Sequence, residues 1–242
     1  MSCVIDFVVA IVSILILKYF WGTMYADSKQ QYLYMLNYAV LANVISIVYG
    51  INATNSLIGK IRTGDICVDL VRPWNVIVSL FFEDVGANTS RFLINGTPVI
   101  LISVVFFSVK INSLAAVLWL VISVFLSSII LFLVKVCVSM ICFWVVEAWS
   151  LTLLIDTVVL VLSGKFIPGW LMPRCIENIM NCLPFIWTYQ KPIEIYLKTK
   201  FNFFSFECLS GMAMQVIWIV ILTVMITLVW NRAIRKVTIQ GG

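Results

Sequence analysis

The chain has 242 residues, 62% of them hydrophobic and 11% charged, with a mean hydropathy of +1.08. Soluble domains are about 45–50% apolar, so this composition excludes an ordinary soluble enzyme. The net charge of +5 forms no basic stripe interleaved with aromatics, which argues against nucleic-acid binding, and the chain has no histidine, the commonest metal ligand and general base.

In chain order, the apolar runs predict an all-α integral membrane protein of six transmembrane helices, a single transmembrane domain over 1–242. The stretches 92–109, 111–134 and 208–231 hold no charged residue. A span needs about 20 apolar residues, and a soluble helix of that length would show a polar stripe. Span 1 is placed at 4–24. It lacks a basic leading region and a small-residue cleavage site and carries Asp6, so it reads as a retained span rather than a signal peptide. Span 2 is placed at 34–57. The region 59–91 carries Lys60, Arg62, Asp65, Asp69, Arg72, Glu83, Asp84 and Arg91. It is expected outside the hydrocarbon, where each central charge costs about 3 kcal/mol. Spans 3 to 6 are placed at 92–109, 114–133, 139–162 and 212–230. Lys135 alone marks the junction of spans 4 and 5.

The connection 164–211 is too long for a hairpin, stays apolar and contains Pro168, Pro173, Pro184 and Pro192. It predicts short helices that dip into the membrane from outside and return, a re-entrant connection between spans 5 and 6. With this long connection discounted, Lys60, Arg62, Arg72, Arg91, Lys135, Arg232, Arg235 and Lys236 face Lys29 and Lys110. That bias places both termini in the cytoplasm. The seven cysteines, at 3, 67, 137, 142, 175, 182 and 208, contain no CxxC and read as buried thiols rather than a disulfide framework or a metal site. Asn52, Asn88 and Asn95 each open a weak glycosylation pattern.

The loop 59–75 reads GKIRTGDICVDLVRPWN. Asp65 is positioned to cap a helix start with its carboxylate, and Pro73 stops that helix. Ile66, Leu70 and Trp74 recur at i, i+4, i+8, with Cys67 and Val71 beside them, while Arg62, Asp65 and Asp69 fall on another face. The spacing describes a short amphipathic helix at the membrane face; a solvated loop is the rival reading. Span 5 holds two acids, Glu147 and Asp156, too far apart to act as a pair. Glu147 is expected either to pair with a base such as Lys135 or to line a polar path. Trp144, Trp149, Trp170 and Trp187 read as interfacial anchors.

Ile61, Gly64-Asp65, Asp69-Leu70 and Arg72-Pro73 together resemble the inner loop of the ABC-2 type permeases, in the branch of small six-span exporter subunits. The resemblance extends to Trp21, Tyr25, Tyr32 and Met35–Tyr38, to Phe143-Trp144 and Glu147, and to Ser163-Gly164, Ile167-Pro168, Pro173, Leu183-Pro184-Phe185, Pro192 and Tyr196. Such permeases usually carry an amphipathic segment ahead of span 1, whereas here Met1 opens almost directly into the span.

The resemblance implies a coupling helix, carried by Arg62, Gly64, Asp65, Asp69, Leu70, Arg72 and Pro73, that sits in a cleft of a separate ATP-binding cassette subunit. Trp144, Glu147 and Asp156 are then the candidate pathway or intramembrane polar residues. Ser163, Gly164, Pro168, Pro173, Pro184, Phe185 and Pro192 form a candidate outer gate, or a seal over the bundle. The family also implies a second permease chain, identical or related, membrane lipid as surroundings, ATP and magnesium on the partner rather than on this chain, and export across a bacterial cell membrane. No GxxxxGK[ST] phosphate loop occurs here, so any motor is another polypeptide. Two rivals differ in class. A membrane-embedded enzyme would need convergent nucleophile, base or metal ligands. A permease-like sensor or immunity protein would share the architecture without transporting.

Overall fold

The computed structural model describes residues 2–49, 52–107, 112–145, 149–198 and 201–234. Among them the secondary structure is helical, with no strand. The long helices are α1 (Ser2–Met24), α2 (Lys29–Val48), α5 (Val76–Arg91) continued by α6 (Thr97–Phe107), α7 (Leu114–Ser139) and α11 (Phe206–Ala233). The short ones are α3 (Asn52–Thr63), α4 (Ile66–Val71), α8 (Trp149–Leu162), α9 (Arg174–Asn181) and α10 (Gln190–Tyr196). Among the described residues five helical stretches are long and apolar enough to cross a membrane: Phe7–Met24, Lys29–Val48, Val76–Phe106, Leu114–Phe143 and Phe206–Ala233.

The surface of these helices is apolar because lipid is their solvent. Along α1, Ala10, Ile14, Leu17 and Trp21 turn inward at helical spacing, while Val8, Val12, Leu15, Ile16 and Tyr19 are exposed. Along α11, Cys208, Gly211, Gln215, Leu222 and Ile226 form the inward seam and Val216, Ile217, Val220, Val224 and Leu228 face out. Helix α7 is the hub. It packs on α3, α8, α10 and α11, and every residue from Ile130 to Val136 is buried. A helix covered on all sides needs no amphipathic stripe, which is why this run shows none.

Three helix boundaries differ from the sequence expectation, each for a physical reason. The run 34–57 is divided: α2 ends at Val48, and the polar stretch Asn52–Ser56 opens the separate amphipathic α3, which packs on α5 and α7. The charged segment before residue 92 is not all loop. Helix α5 begins at Val76, capped by the Asn75 carboxamide, which accepts from the Ile77 and Val78 N–H groups. It runs through a π-helical turn, Phe92–Gly96, into α6. Its Asp84 is buried and accepts from Asn88 Nδ2 at 2.9 Å, so that charge has a partner inside the helix. Asn88 and Asn95 are buried as well, which excludes both as glycan acceptors in this fold.

The third difference concerns Lys135. Placing the junction of spans 4 and 5 there assumes that a lone charge must sit at an interface. Instead α7 continues through Lys135 to Ser139 and on into a 3₁₀ turn, Met140–Phe143. The Lys135 ammonium is buried and lies 3.7 Å from Asp156 Oδ1 on α8. The charge is neutralised in place, so the helix has no reason to end. Asp156 is thus a partner of Lys135; Glu147, the acid the sequence offered for that pairing, lies outside the described residues. What remains of span 5 is α8, a helix of 14 residues.

Removing one partner from a buried pair strands the other charge. Asp156→Ala should lower the unfolding free energy by about 3 kcal/mol, and Lys135→Met with Asp156→Leu together should recover at least half of it. Thermal unfolding in detergent checks this; simple additivity of the two changes would contradict it.

Candidate functional site

Two regions gather the predicted site residues. The first is the turn from α3 through α4 to α5. Helix α3 ends at Thr63, and Gly64 follows with φ of +83°, the left-handed conformation that reverses the chain after a helix. Open space surrounds Gly64, so it is the backbone angle and not packing that calls for glycine. Helix α4 starts at Ile66, and its last N–H link closes at Arg72, which adopts the extended conformation required before Pro73. Asp65 stands at the cap position but does not bond the backbone; its carboxylate lies 2.6 Å from the Thr63 hydroxyl. The expected capping role therefore passes to a side-chain contact.

The charges of this elbow are partly spent inside the chain. Asp69 is buried and binds Lys60 Nζ at 2.9 Å and Arg72 Nη1 at 3.4 Å. It ties α3, α4 and the following turn into one unit. The apolar side splits. Ile66 is buried and Leu70 and Cys67 are half-buried against the main core, but Val68, Val71 and Trp74 are exposed. Arg72 also stacks its guanidinium 5.3 Å from the Trp74 ring. The elbow thus presents Arg62, Asp65, Val68, Val71, Arg72, Pro73 and Trp74 outward on a braced base.

The second region is 163–196. Gly164 has φ of +73° and its carbonyl accepts from the Tyr38 hydroxyl at 2.6 Å. A Cβ at Gly164 would stand 2.6 Å from Gln190 Oε1. Gln190 fastens the segment to itself. Its N–H donates to the Ser163 carbonyl at 3.2 Å, its Oε1 accepts from the Gly169 N–H at 2.7 Å, and its Nε2 donates to Glu194 Oε1 at 2.7 Å. Pro184 opens a 3₁₀ turn, Pro184–Trp187, and Phe185, Ile186, Thr188, Tyr189, Pro192 and Ile193 are all buried. Pro168 is buried too, while Pro173 is exposed where it precedes α9. The Lys165 ammonium lies 5.9 Å from the centre of the Tyr189 ring.

The carbonyls of this non-helical stretch are met by side chains from the long helices. Tyr49 donates to the Thr188 carbonyl at 2.8 Å, and Ser127 and Gln215 Nε2 donate to the Trp187 carbonyl, each at 3.0 Å. Gln215 also bonds Ser123 and Ser127, joining α11 to α7. Sequence reasoning placed Tyr38 in a motif without a role and passed over Tyr49, Ser123, Ser127, Gln190 and Gln215. The available signal was polar residues recurring inside otherwise apolar runs, Ser123 and Ser127 four apart in α7 and Gln215 in α11.

Trp144 is not brought to either region, whereas Asp156 lies on α8, which packs on the Pro184–Trp187 turn of the second region. Trp144 is exposed and edge-on to Phe143, and Asp156 is occupied by Lys135. Trp170 is half-buried and packs edge-on against Tyr38 at 5.5 Å between ring centres. Among the described residues no cluster of histidine, cysteine and carboxylate side chains is suited to a metal.

The family model for the ABC-2 family transporter protein matches residues 5–241. The chain belongs to the ABC-2 transporter family. This ABC-2 protein matches no curated protein and no solved structure. Family membership and the five long apolar helices make it a multi-pass membrane protein with a permease-type transport role.

The two positive-φ glycines separate backbone strain from packing. Gly64→Ala should cost about 1 kcal/mol, the left-handed penalty alone. Gly164→Ala adds the collision with Gln190 and should cost at least twice as much. Melting of both variants in detergent checks the order; equal losses would contradict the described packing at Gly164.

Proposed function

We propose that this chain is the permease subunit of an ATP-binding cassette exporter. It forms half of the translocation pathway, a second permease chain, identical or related, forms the other half, and separate ATP-binding subunits bind beneath with their ATP and magnesium. The observation that carries the reading is the elbow from α3 to Pro73. It is an exposed, mixed-charge and apolar element on a braced base, in a chain of a transporter family that has no phosphate loop of its own.

The elbow is suited to receive force. Asp69 holds it as one piece, α3 rests on α5 and α7, and α7 in turn contacts α10, α11 and the Pro184–Trp187 turn. Differential contact with the ATP-bound and ATP-free partner supplies the shift between states. Val68, Val71 and Trp74 provide the apolar contact and Arg62, Asp65 and Arg72 the charged rim.

The segment 163–196 is the outer, re-entrant gate in this reading. Depth supports it. Ser127 lies about 20 Å along α7 from Leu114, and Gln215 about 14 Å along α11 from Phe206. A hydrocarbon core is about 30 Å thick, so the Trp187 carbonyl they share falls near mid-depth. Non-helical backbone there must be covered by protein, as the hydrogen bonds from Ser127, Gln215 and Tyr49 do. The direction is export, across a bacterial cell membrane, with both termini cytoplasmic.

Tagged protein purified from native membranes should bring a nucleotide-hydrolysing chain with it. Val71→Asp and Asp65→Lys alter exposed positions, so they should leave the melting temperature within a few degrees and cut the retained ATPase activity at least tenfold. A wild-type preparation with no ATPase, or full retention in both variants, would contradict the coupling assignment.

A further inference from the structure

As described, α8 rises about 21 Å, less than the hydrocarbon thickness of about 30 Å, and it ends at Leu162. Just beyond it the Gly164 carbonyl accepts from the Tyr38 hydroxyl. Tyr38 lies about 14 Å along α2 from Lys29, so Lys165, the residue after Gly164, sits near mid-depth. Lys165 is half-buried. Among the described residues its Nζ makes no hydrogen bond and no ion pair, and it is not sealed in as Ser103 Oγ and Trp187 Nε1 are.

The charges around it do not balance. Lys165 is within electrostatic reach of Lys135 and Asp156, and Lys135 within reach of Asp156, Asp84 and Arg91. Three cations in this group thus stand against two acids, and one of those acids already lies 3.7 Å from Lys135. The acids are engaged within their own chain, Asp84 by Asn88 and Asp156 by Lys135, so a second copy offers neither to Lys165. An ammonium left over near mid-depth is costly, and such a group marks a functional position whose partner has to be named.

We infer that Lys165 binds the acidic group of a small amphiphilic anion, a carboxylate or a phosphate monoester, and that the exported molecule is of this class. The second half rests on the exporter reading; the first does not. Opposite charge brought to the ammonium in a medium of low dielectric is what holds the ligand. Phe166, exposed beside it, and Leu160 and Val161, exposed on the last turn of α8, offer its apolar part a surface. A cationic ligand is disfavoured by the same excess of positive charge.

The test uses Phe166→Cys on a background with the native cysteines replaced, the full chain and its co-purified partners being held in phosphatidylcholine vesicles. The thiol is reacted with anionic sulfonatoethyl or cationic trimethylammonioethyl methanethiosulfonate, each rate taken relative to a small thiol in water. Both reagents need a thiolate, which lipid does not permit. The anionic reagent should react about tenfold faster; Lys165→Gln should remove most of that preference and Lys165→Arg keep it. Octyl phosphate should slow the anionic reagent about fivefold and raise the retained ATPase activity, and octyltrimethylammonium should do neither. If Lys165→Gln fails to fold, judged by melting, the comparison of these two amphiphiles on native Lys165 decides alone. No reaction with either reagent, a preference unchanged in Lys165→Gln, a preference that appears only in Glu147→Gln, or protection by phosphatidylglycerol without added acid would each overturn the inference. ATPase retained without any anionic preference overturns it and leaves the exporter reading standing; anionic protection without ATPase keeps the site and removes the exported class.

Discussion

Everything in this bundle answers to one constraint: inside hydrocarbon, a backbone carbonyl must find its donor in the protein. Residues 163–196 leave helical geometry repeatedly, at Gly164, Pro168, Pro173 and Pro184, and each break frees backbone groups. Tyr38, Tyr49, Ser127 and Gln215 reach in from the long helices to satisfy them. The side chains that make the bundle cohere are therefore the same ones that allow an irregular segment to lie within it. An element held by a few side-chain hydrogen bonds, rather than by a continuous helical ladder, is also the kind that can change arrangement without unfolding its neighbours.

Charge follows a parallel logic. Lys135 is tolerated inside α7 because Asp156 neutralises it, and Asp69 is tolerated in the elbow because Lys60 and Arg72 do the same. In the elbow this pairing has a mechanical consequence. Three short pieces of chain become one body, with its apolar and charged edge turned outward. Pairing inward first, then presenting outward, lets a surface element carry load without losing its shape.

The sequence made the chemistry class, the family and the existence of the elbow legible, because long uncharged runs and the motif around Gly64, Asp65 and Pro73 are local signals. Helix ends were less legible. Lys135 looked like a boundary because its partner, Asp156, is remote in sequence, and the start of α5 at Val76 was hidden by two acids, of which Asp84 pairs within the helix and Glu83 meets Ser56 on α3. The apolar face drawn through Ile66, Leu70 and Trp74 holds for its first two members only, since α4 stops at Val71 and Trp74 lies beyond the turn. The partners in the network around Gln190 and Gln215 were not legible, as all its bonds but the i, i+4 link from Gln190 to Glu194 join residues that only the fold makes neighbours.

The central claim is that displacement at the elbow reaches the irregular outer segment through α7. Spin labels at Arg174 and Phe206, both exposed, on a background with the native cysteines replaced, report that segment by their mutual distance in the complex purified from native membranes. The account predicts that the distance distribution shifts between nucleotide-free and ATP-vanadate-trapped states, and that Val71→Asp abolishes the shift. Identical distributions in both states of the wild-type complex would contradict it.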